Sequence, residues 1–149
     1  MTVAALKRDV CAAIDAMAPE LIGVSHAIHA NPELAFHEFE AAKLLTAKLE
    51  QHDLPVTRGA FGLQTAYSST FGPDNTPEVA ILSEYDALPG IGHACGHNII
   101  ATTGLGASLA LAKLGVNLPG RVRYLGTPAE ERGGGKELMA QAGDFERVD

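Results

Sequence analysis

"EVAILSEYDALPGIGHACGHN" occupies residues 78–98, and this stretch decides how we expect the chain to fold. Its apolar beginning predicts a strand that is buried on both faces. The apolar stretch "NIIATTGLGASLALAKLG", residues 98–115, then predicts a buried helix, and "RVRYLGTPAEE", residues 121–131, predicts a second strand. Strand, helix and strand in this order indicate an α/β fold, because a crossover helix joins neighbouring parallel strands.

Two helices and two strands are predicted before this unit. The first helix runs from Val3 to about His29, with Pro19 as a break or bend. The second begins near the Asn31-Pro32 turn, because apolar residues then recur at helical spacing as far as Leu49. The remaining segments are the strands "LPVTRG" (54–59) and "LQTAYSSTFG" (63–72), the turn "PDNTP" (73–77), the loop "GVNLPG" (115–120) and the helix "GGGKELMAQAG" (133–143). Together they predict a mixed, largely parallel sheet with flanking helices.

The composition is typical of one soluble, globular domain. The chain has 149 residues, of which 46% are hydrophobic and 19% charged. Its net charge of −7 argues against a nucleic-acid partner, which calls for a basic surface. Charged residues interrupt the N-terminal apolar stretch, and residues 98–115 are short for a bilayer, so no signal peptide or membrane span is predicted. Cys11 and Cys95 lie far apart, which argues against a disulfide framework and favours a cytoplasmic enzyme.

Side chains that bind metals or move protons follow both strands of the predicted unit. They are Glu84, Asp86, Cys95 and His97 after the first strand, and Glu130 and Glu131 after the second. Because parallel strands end at the same edge of a sheet, both groups are expected in one crevice. Cys95 and His97 are separated only by a glycine, so their thiolate and imidazole can chelate one ion of the zinc type.

The pair Glu130 and Glu131 supplies the complementary chemistry. Successive strand residues point to opposite faces, so the two carboxylates share a site only where the strand is broken, as Pro128 indicates. One carboxylate then ligates a metal while the other takes a proton from water, the division of labour in metal-assisted hydrolysis. For His93 we expect a supporting hydrogen bond rather than ligation.

Three segments together resemble the aminoacylase and carboxypeptidase G type of co-catalytic metallopeptidases and amidohydrolases. They are "HANPELAFHEFEAAKLL" (29–45), "LSEYDALPGIGHACGHN" (82–98) and "LGTPAEERGGGK" (125–136). The second is most similar to the branch of p-aminobenzoyl-glutamate hydrolase subunits and β-alanyl-lysine-type dipeptidases. Asn98, where hippurate-hydrolase-like members have aspartate, agrees with that branch.

The resemblance implies a role for each site residue. Cys95, His97 and Glu131 would be metal ligands, Glu130 the general base that activates water, and Asp86 a supporting carboxylate. The cofactor would be two divalent ions, such as zinc, manganese or cobalt. The substrate would be a small amide or dipeptide, and the full-length form a homodimer.

The resemblance also implies that residues 1–149 are the N-terminal portion, an incomplete half, of a metallopeptidase catalytic domain. The lid or dimerisation domain and the C-terminal half, with further histidine ligands, would be absent. Many relatives have a histidine ligand where Glu84 stands here. With so few ligands and no lid, we expect the chain alone to hydrolyse nothing at a useful rate.

Three other functions compete with this interpretation. A truncated relative would bind metal in a regulatory role without hydrolase activity. A thiol hydrolase would use Cys95 as nucleophile and His97 as base, although residues two apart on a loop seldom reach the attack geometry. An interaction module would pair the open edge of the unfinished sheet with another copy or with the missing half.

Overall fold

The computed structural model describes residues 2–74, 76–115, 118–146 and 148–149. The predicted turn at 73–77 and loop at 115–120 therefore lie partly outside the described residues. The elements are α1 (Val3–Ala30), α2 (Phe39–Gln51), β1 (Thr57–Arg58), β2 (Tyr67–Phe71), β3 (Glu78–Ser83), α3 (His97–Ala112), β4 (Arg121–Gly126) and α4 (Gly135–Gln141). A short 3-10 turn, Ala60–Gly62, lies between β1 and β2.

The strands form one mixed sheet in the order β1-β2-β4-β3. Strands β3 and β4 are parallel and joined by the crossover helix α3, which confirms the predicted α/β unit. The parallel share of the sheet is smaller than predicted, because β2 pairs antiparallel with both β1 and β4. The crossover inserts β4 between β2 and β3, so these two consecutive strands are not neighbours in the sheet.

The two parallel strands end level with each other. Ser83, the last residue of β3, pairs with Gly126, the last residue of β4. One residue further, the Thr127 amide donates to the Ser83 carbonyl oxygen at 2.8 Å, and the Thr127 hydroxyl donates to the same oxygen at 3.0 Å. The loops after β3 and β4 therefore start side by side at the carboxyl edge of the sheet.

Helix α1 packs on α3 along one apolar face. Its buried residues are Met17, Leu21, Val24 and Ile28, which belong to one core cluster with Leu105 and Leu109 of α3. The helix continues through Pro19, so it does not break there, and of the predicted break or bend only a bend stays a prediction. Tertiary packing of this face stabilises the helix beyond what the lost hydrogen bond removes. By length and composition alone α1 could also cross a membrane.

Strand β3 is less buried than its apolar sequence suggests. Val79 is 58% exposed, and the prediction of burial on both faces is wrong for this strand. Within the described part of the chain, β4 is the only strand that pairs with β3, so β3 lies at an edge of the sheet. The Asp149 amide donates to the Glu78 carbonyl oxygen at 3.0 Å at the start of this strand.

Helix α2 begins at Phe39 rather than near Asn31. The Glu33 carboxylate accepts hydrogen bonds from the Glu40 and Ala41 amides at 3.0 and 2.8 Å, so it satisfies free amides of the first turn from outside the helix. Residues 33–38 therefore precede the helix and can pack against other segments of the chain. They lie against the loop after β3, as shown by a parallel bridge between Leu34 and Ala87, and against the loop after β4, where the Ala129 amide donates to the Glu38 carboxylate.

Candidate metal centre

His97 is the first residue of α3, and its ring lies at the centre of the site. Gly96 precedes it with a φ of +84°, a left-handed conformation that residues with side chains rarely adopt. The His97 Nδ1 lies 2.9 Å from the Asp86 carbonyl oxygen and 3.0 Å from Asp86 Oδ1. Both partners accept, so Nδ1 carries the proton and Nε2 keeps its lone pair for a ligand.

The free face of the His97 ring points to two carboxylates. Its Nε2 lies 3.7 Å from Glu130 Oε2 and 3.8 Å from Glu131 Oε1. One ligand atom from each of the three residues lies within 4.8 Å of the others. Imidazole nitrogen and carboxylate oxygen are donors that zinc, manganese and cobalt accept, so this cluster fits a divalent metal ion.

Asp86 connects the two loops that carry the cluster. It is buried after β3, and besides accepting from His97 it accepts from the Glu131 amide through Oδ2 at 2.9 Å. One carboxylate therefore fixes the tautomer of His97 and the backbone of Glu131. An acid that hydrogen-bonds a ligating histidine in this way orients the ring and increases its basicity.

The adjacent carboxylates Glu130 and Glu131 differ in exposure. The Glu131 side chain is 16% exposed and the Glu130 side chain 40% exposed. The residue before them, Ala129, has a φ of +58°, so the backbone breaks out of the strand direction after Pro128. This turn permits neighbouring side chains to face the same histidine, as the shared site predicted for them requires.

Cys95 lies beside Glu131 but outside the compact cluster of three residues. The pKa of its exposed thiol is raised, first by a hydrogen bond to Glu131, then by desolvation and by the negative charges of Glu131, Glu130 and Asp86. A raised pKa leaves little thiolate at neutral pH, which argues against Cys95 as the nucleophile of a thiol hydrolase.

We expect Cys95 of the metal-free chain to alkylate slowly at pH 7.5. In a Cys11→Ser variant, where Cys95 is the one remaining thiol, iodoacetamide should react more slowly than with a small unperturbed thiol. Replacing Glu131 by Gln removes the main cause of the raised pKa and should accelerate the reaction. Equal rates before and after this replacement would show that the carboxylate does not control the thiol.

Glu84 forms an ion pair with Lys136, a contact that the sequence did not suggest. Lys136 Nζ donates to Glu84 Oε1 at 2.5 Å and lies 3.9 Å from Glu130 Oε1. Glu84 is thus held at the rim of the site rather than within the cluster of three ligand atoms. Lys136 follows three glycines, and no local pattern reveals a partner 52 residues earlier in the chain.

His93 is buried near the site but does not join the cluster. Its ring lies 6.3 Å from that of His29, and burial is the main cause that lowers its pKa. His26 and His29 are exposed on α1. The structure therefore brings together His97, Glu130, Glu131 and Asp86, and it places Cys95 beside them.

Comparisons with known proteins show which family and which solved structures the chain is similar to. A family model described as Peptidase family M20/M25/M40 matches residues 80–149. The Xaa-Arg dipeptidase of Mus musculus is 43% identical over 97% of this chain and 36% of its own length. A p-aminobenzoyl-glutamate hydrolase subunit of Escherichia coli is 34% identical over 92% of this chain and 32% of its own length. The chain thus spans about a third of the curated relatives it matches.

A solved structure with similar architecture is that of the Bacillus subtilis YXEP protein, described as a dinuclear metal binding peptidase from the M20 family. It superposes with a TM-score of 0.83 at 29% sequence identity and covers 91% of this chain and 42% of its own. The matched part of that protein therefore has the fold described above.

Proposed function

Because the chain belongs to peptidase family M20/M25/M40, we propose that it carries the metal-binding half of a metal-dependent amidohydrolase or dipeptidase. The observation that carries the proposal is the cluster of His97, Glu130 and Glu131 at the carboxyl ends of two parallel strands. His97 and Glu131 would ligate metal, and Cys95 would join them from its place beside Glu131. The B. subtilis protein is described as dinuclear, which supports a pair of metal ions. The divalent ions proposed for this pair are zinc, manganese or cobalt.

The two glutamates have different roles in this proposal. Glu131 is the less exposed, and its backbone is tied to Asp86, so it suits a fixed ligand. Glu130 is more open to solvent, so it suits a general base that must meet water and substrate. A divalent ion bound here would polarise the amide carbonyl and make water more acidic.

Proton transfer in the reaction would depend on Glu130. Its carboxylate would take a proton from the attacking water as the water oxygen bonds to the amide carbon. It would then give that proton to the amide nitrogen as the carbon–nitrogen bond breaks. Asp86 would hold the His97 Nδ1 proton throughout, which keeps Nε2 directed at the site.

The substrates proposed are dipeptides, N-acyl amino acids or aminobenzoyl-glutamate-like conjugates. The support comes from two relatives, which are an Xaa-Arg dipeptidase and a p-aminobenzoyl-glutamate hydrolase subunit. The homodimer and the cytoplasmic location expected from the sequence remain predictions.

A chimera tests the proposal. Residues 1–149 would replace the aligned segment of the E. coli hydrolase subunit, and cleavage of aminobenzoyl-glutamate and of an Xaa-Arg dipeptide would be measured with added metal. Replacing Glu130 by Gln should lower kcat by about 10²–10⁴-fold, because general-base catalysis contributes on that scale. Glu137→Gln, an exposed carboxylate on α4, is the matched control and should leave kcat unchanged.

The same chimera distinguishes the regulatory alternative. A chimera that folds and binds metal but cleaves neither substrate would favour a metal-binding protein without hydrolase activity. Activity that persists after chelation of the metal would contradict both the metal-dependent hydrolase and the metal-binding regulatory protein.

A further inference from the structure

Residues 33–38, which we call the brace, contact both loops that carry the candidate site. The Glu33 carbonyl oxygen accepts from the Ala87 amide at 2.8 Å, next to Asp86. At the other loop, a Cβ atom on Gly133 would lie 2.3 Å from the Phe36 ring, so this loop packs closely on the brace. The brace thus lies against the segments on either side of the metal cluster.

Glu38, at the end of the brace, has its carboxylate fully buried, with 0% exposure. Its Oε1 accepts from the Phe36 and Ala129 amides, both at 2.9 Å, and its Oε2 accepts from the Thr65 hydroxyl at 2.8 Å. All three donors are neutral, and burial is the main cause that raises the pKa of this carboxyl. A buried charge is costly unless it is both hydrogen-bonded and paired with an opposite charge, and these donors supply only the hydrogen bonds, so this arrangement needs a reason.

Two of these donors are strained residues. Phe36 has a φ of +63° and Ala129 a φ of +58°, a region that is unfavourable by roughly 1–2 kcal/mol for residues other than glycine. The amides of both residues donate a hydrogen bond to the same oxygen, Oε1 of Glu38. Ala129 is followed directly by Glu130 and Glu131, so its conformation sets where those carboxylates point.

Thr65 extends the connection to the loop after β3. Its hydroxyl donates to Glu38, and its carbonyl oxygen accepts from the Tyr85 hydroxyl at 2.6 Å. Tyr85 lies between Glu84 and Asp86 and is fully buried. One chain of hydrogen bonds therefore runs from the Tyr85 side chain through Glu38 to the backbone before Glu130.

We propose that Glu38 is a positioning residue that holds Ala129 in its left-handed conformation and so aims Glu130 and Glu131 at His97. The inference deepens the proposed function and rests on it for the identity of the metal cluster. Glu38 itself hydrogen-bonds neither His97 nor the two glutamates among the described residues. Its effect passes through the backbone of Ala129.

The test combines amide hydrogen exchange with Co²⁺ titration of the full chain. In Glu38→Ala the Ala129 amide loses its acceptor, and its exchange should accelerate by at least about tenfold, while the Leu125 amide of β4 is unchanged. Affinity for Co²⁺ should fall by about tenfold, as expected when an outer contact of a metal site is removed. The visible absorption of bound Co²⁺ should also change, because the ligand geometry is altered.

Two further variants separate positioning from simple loss of stability. Glu38→Gln keeps an acceptor for both amides and should retain Co²⁺ affinity within about threefold. Val24→Ala removes buried volume from α1, which supplies none of the three donors to Glu38, and should destabilise the fold without changing affinity or spectrum. Should Glu38→Ala fail to fold, Thr65→Val removes the third donor and should give a smaller change in the same direction.

Each outcome decides the inference. Unchanged exchange at Ala129 in Glu38→Ala would overturn it, whether or not the chain binds metal. Equal losses of affinity in Val24→Ala and Glu38→Ala would also overturn it, because general instability would then explain both. A parent chain that binds no Co²⁺ refutes the proposed metal site instead, while faster exchange at Ala129 would still show that Glu38 holds this backbone.

Discussion

Replacing His97 by alanine is expected to lower the affinity of the chain for Zn²⁺ or Co²⁺ by about a hundredfold. Structural zinc sites with four ligands bind with about 10–16 kcal/mol, so one ligand accounts for about 3 kcal/mol. His97 Nε2 lies within 4 Å of both Glu130 and Glu131, so its loss removes the nitrogen ligand that the two carboxylates share. Titration with Co²⁺, followed by absorption and by competition with a chelator, measures the change.

Asp86 offers a graded version of the same experiment. Asp86→Asn keeps the size of the side chain but leaves only one oxygen to replace the two that accept from His97 and Glu131. A loss of about tenfold is expected, as for outer residues that orient a ligating histidine. His26→Ala, an exposed histidine on α1, is the control and should bind as the parent does. Parent-like affinity in His97→Ala would place the metal elsewhere.

The position of the site was predictable because it depends on patterns that are local in the sequence. An apolar strand, a glycine-rich turn and an apolar helix define the β3–α3–β4 unit, and parallel pairing brings the ends of β3 and β4 together. His97 and Glu131 could therefore be expected in one crevice although they are 34 positions apart. The sequence pattern carries this information because the crossover connection has few alternatives.

The support of the site was not predictable in the same way. Glu38 and Lys136 act through partners 91 and 52 positions away, and their own neighbours in sequence do not reveal these contacts. Glu38 lies within a stretch whose helical spacing predicts a continuous helix, but α2 begins one residue later. The positive φ of Ala129 is likewise invisible, because alanine has no local preference for that conformation.

The burial of β3 was misjudged for a different reason. A run of apolar residues is typical of a strand covered on both faces, but exposure also depends on how many strands lie beside it. Val79 is exposed because β3 lies at the edge of the sheet formed by the described residues. Strand order is a property of the whole sheet, and the composition of one strand does not determine it.

Replacing Gly135 by alanine is expected to destabilise the fold by about 3 kcal/mol, the upper part of the range for overpacking. A Cβ atom there would lie 1.8 Å from the Pro128 carbonyl oxygen, which is backbone and cannot turn away as a side chain could. The Gly135 amide donates to the Ala129 carbonyl oxygen at 3.2 Å, so the loop that carries Glu130 and Glu131 closes on this residue. Thermal and urea unfolding measure the loss.

Gly23→Ala is the matched control for this prediction, because the same substitution should there have the opposite sign. Gly23 lies within α1 and has no neighbouring atom within 4 Å of an added Cβ, so alanine should stabilise the helix by about 0.5–1 kcal/mol.

Moving Pro128 also moves Glu130 and Glu131, so Gly135→Ala should weaken Co²⁺ binding as well. If Gly135→Ala has the stability and the Co²⁺ affinity of the parent, the loop that carries Glu130 and Glu131 can move away from residue 135 without disturbing the two carboxylates. That result would contradict the tight closure of this loop on Gly135.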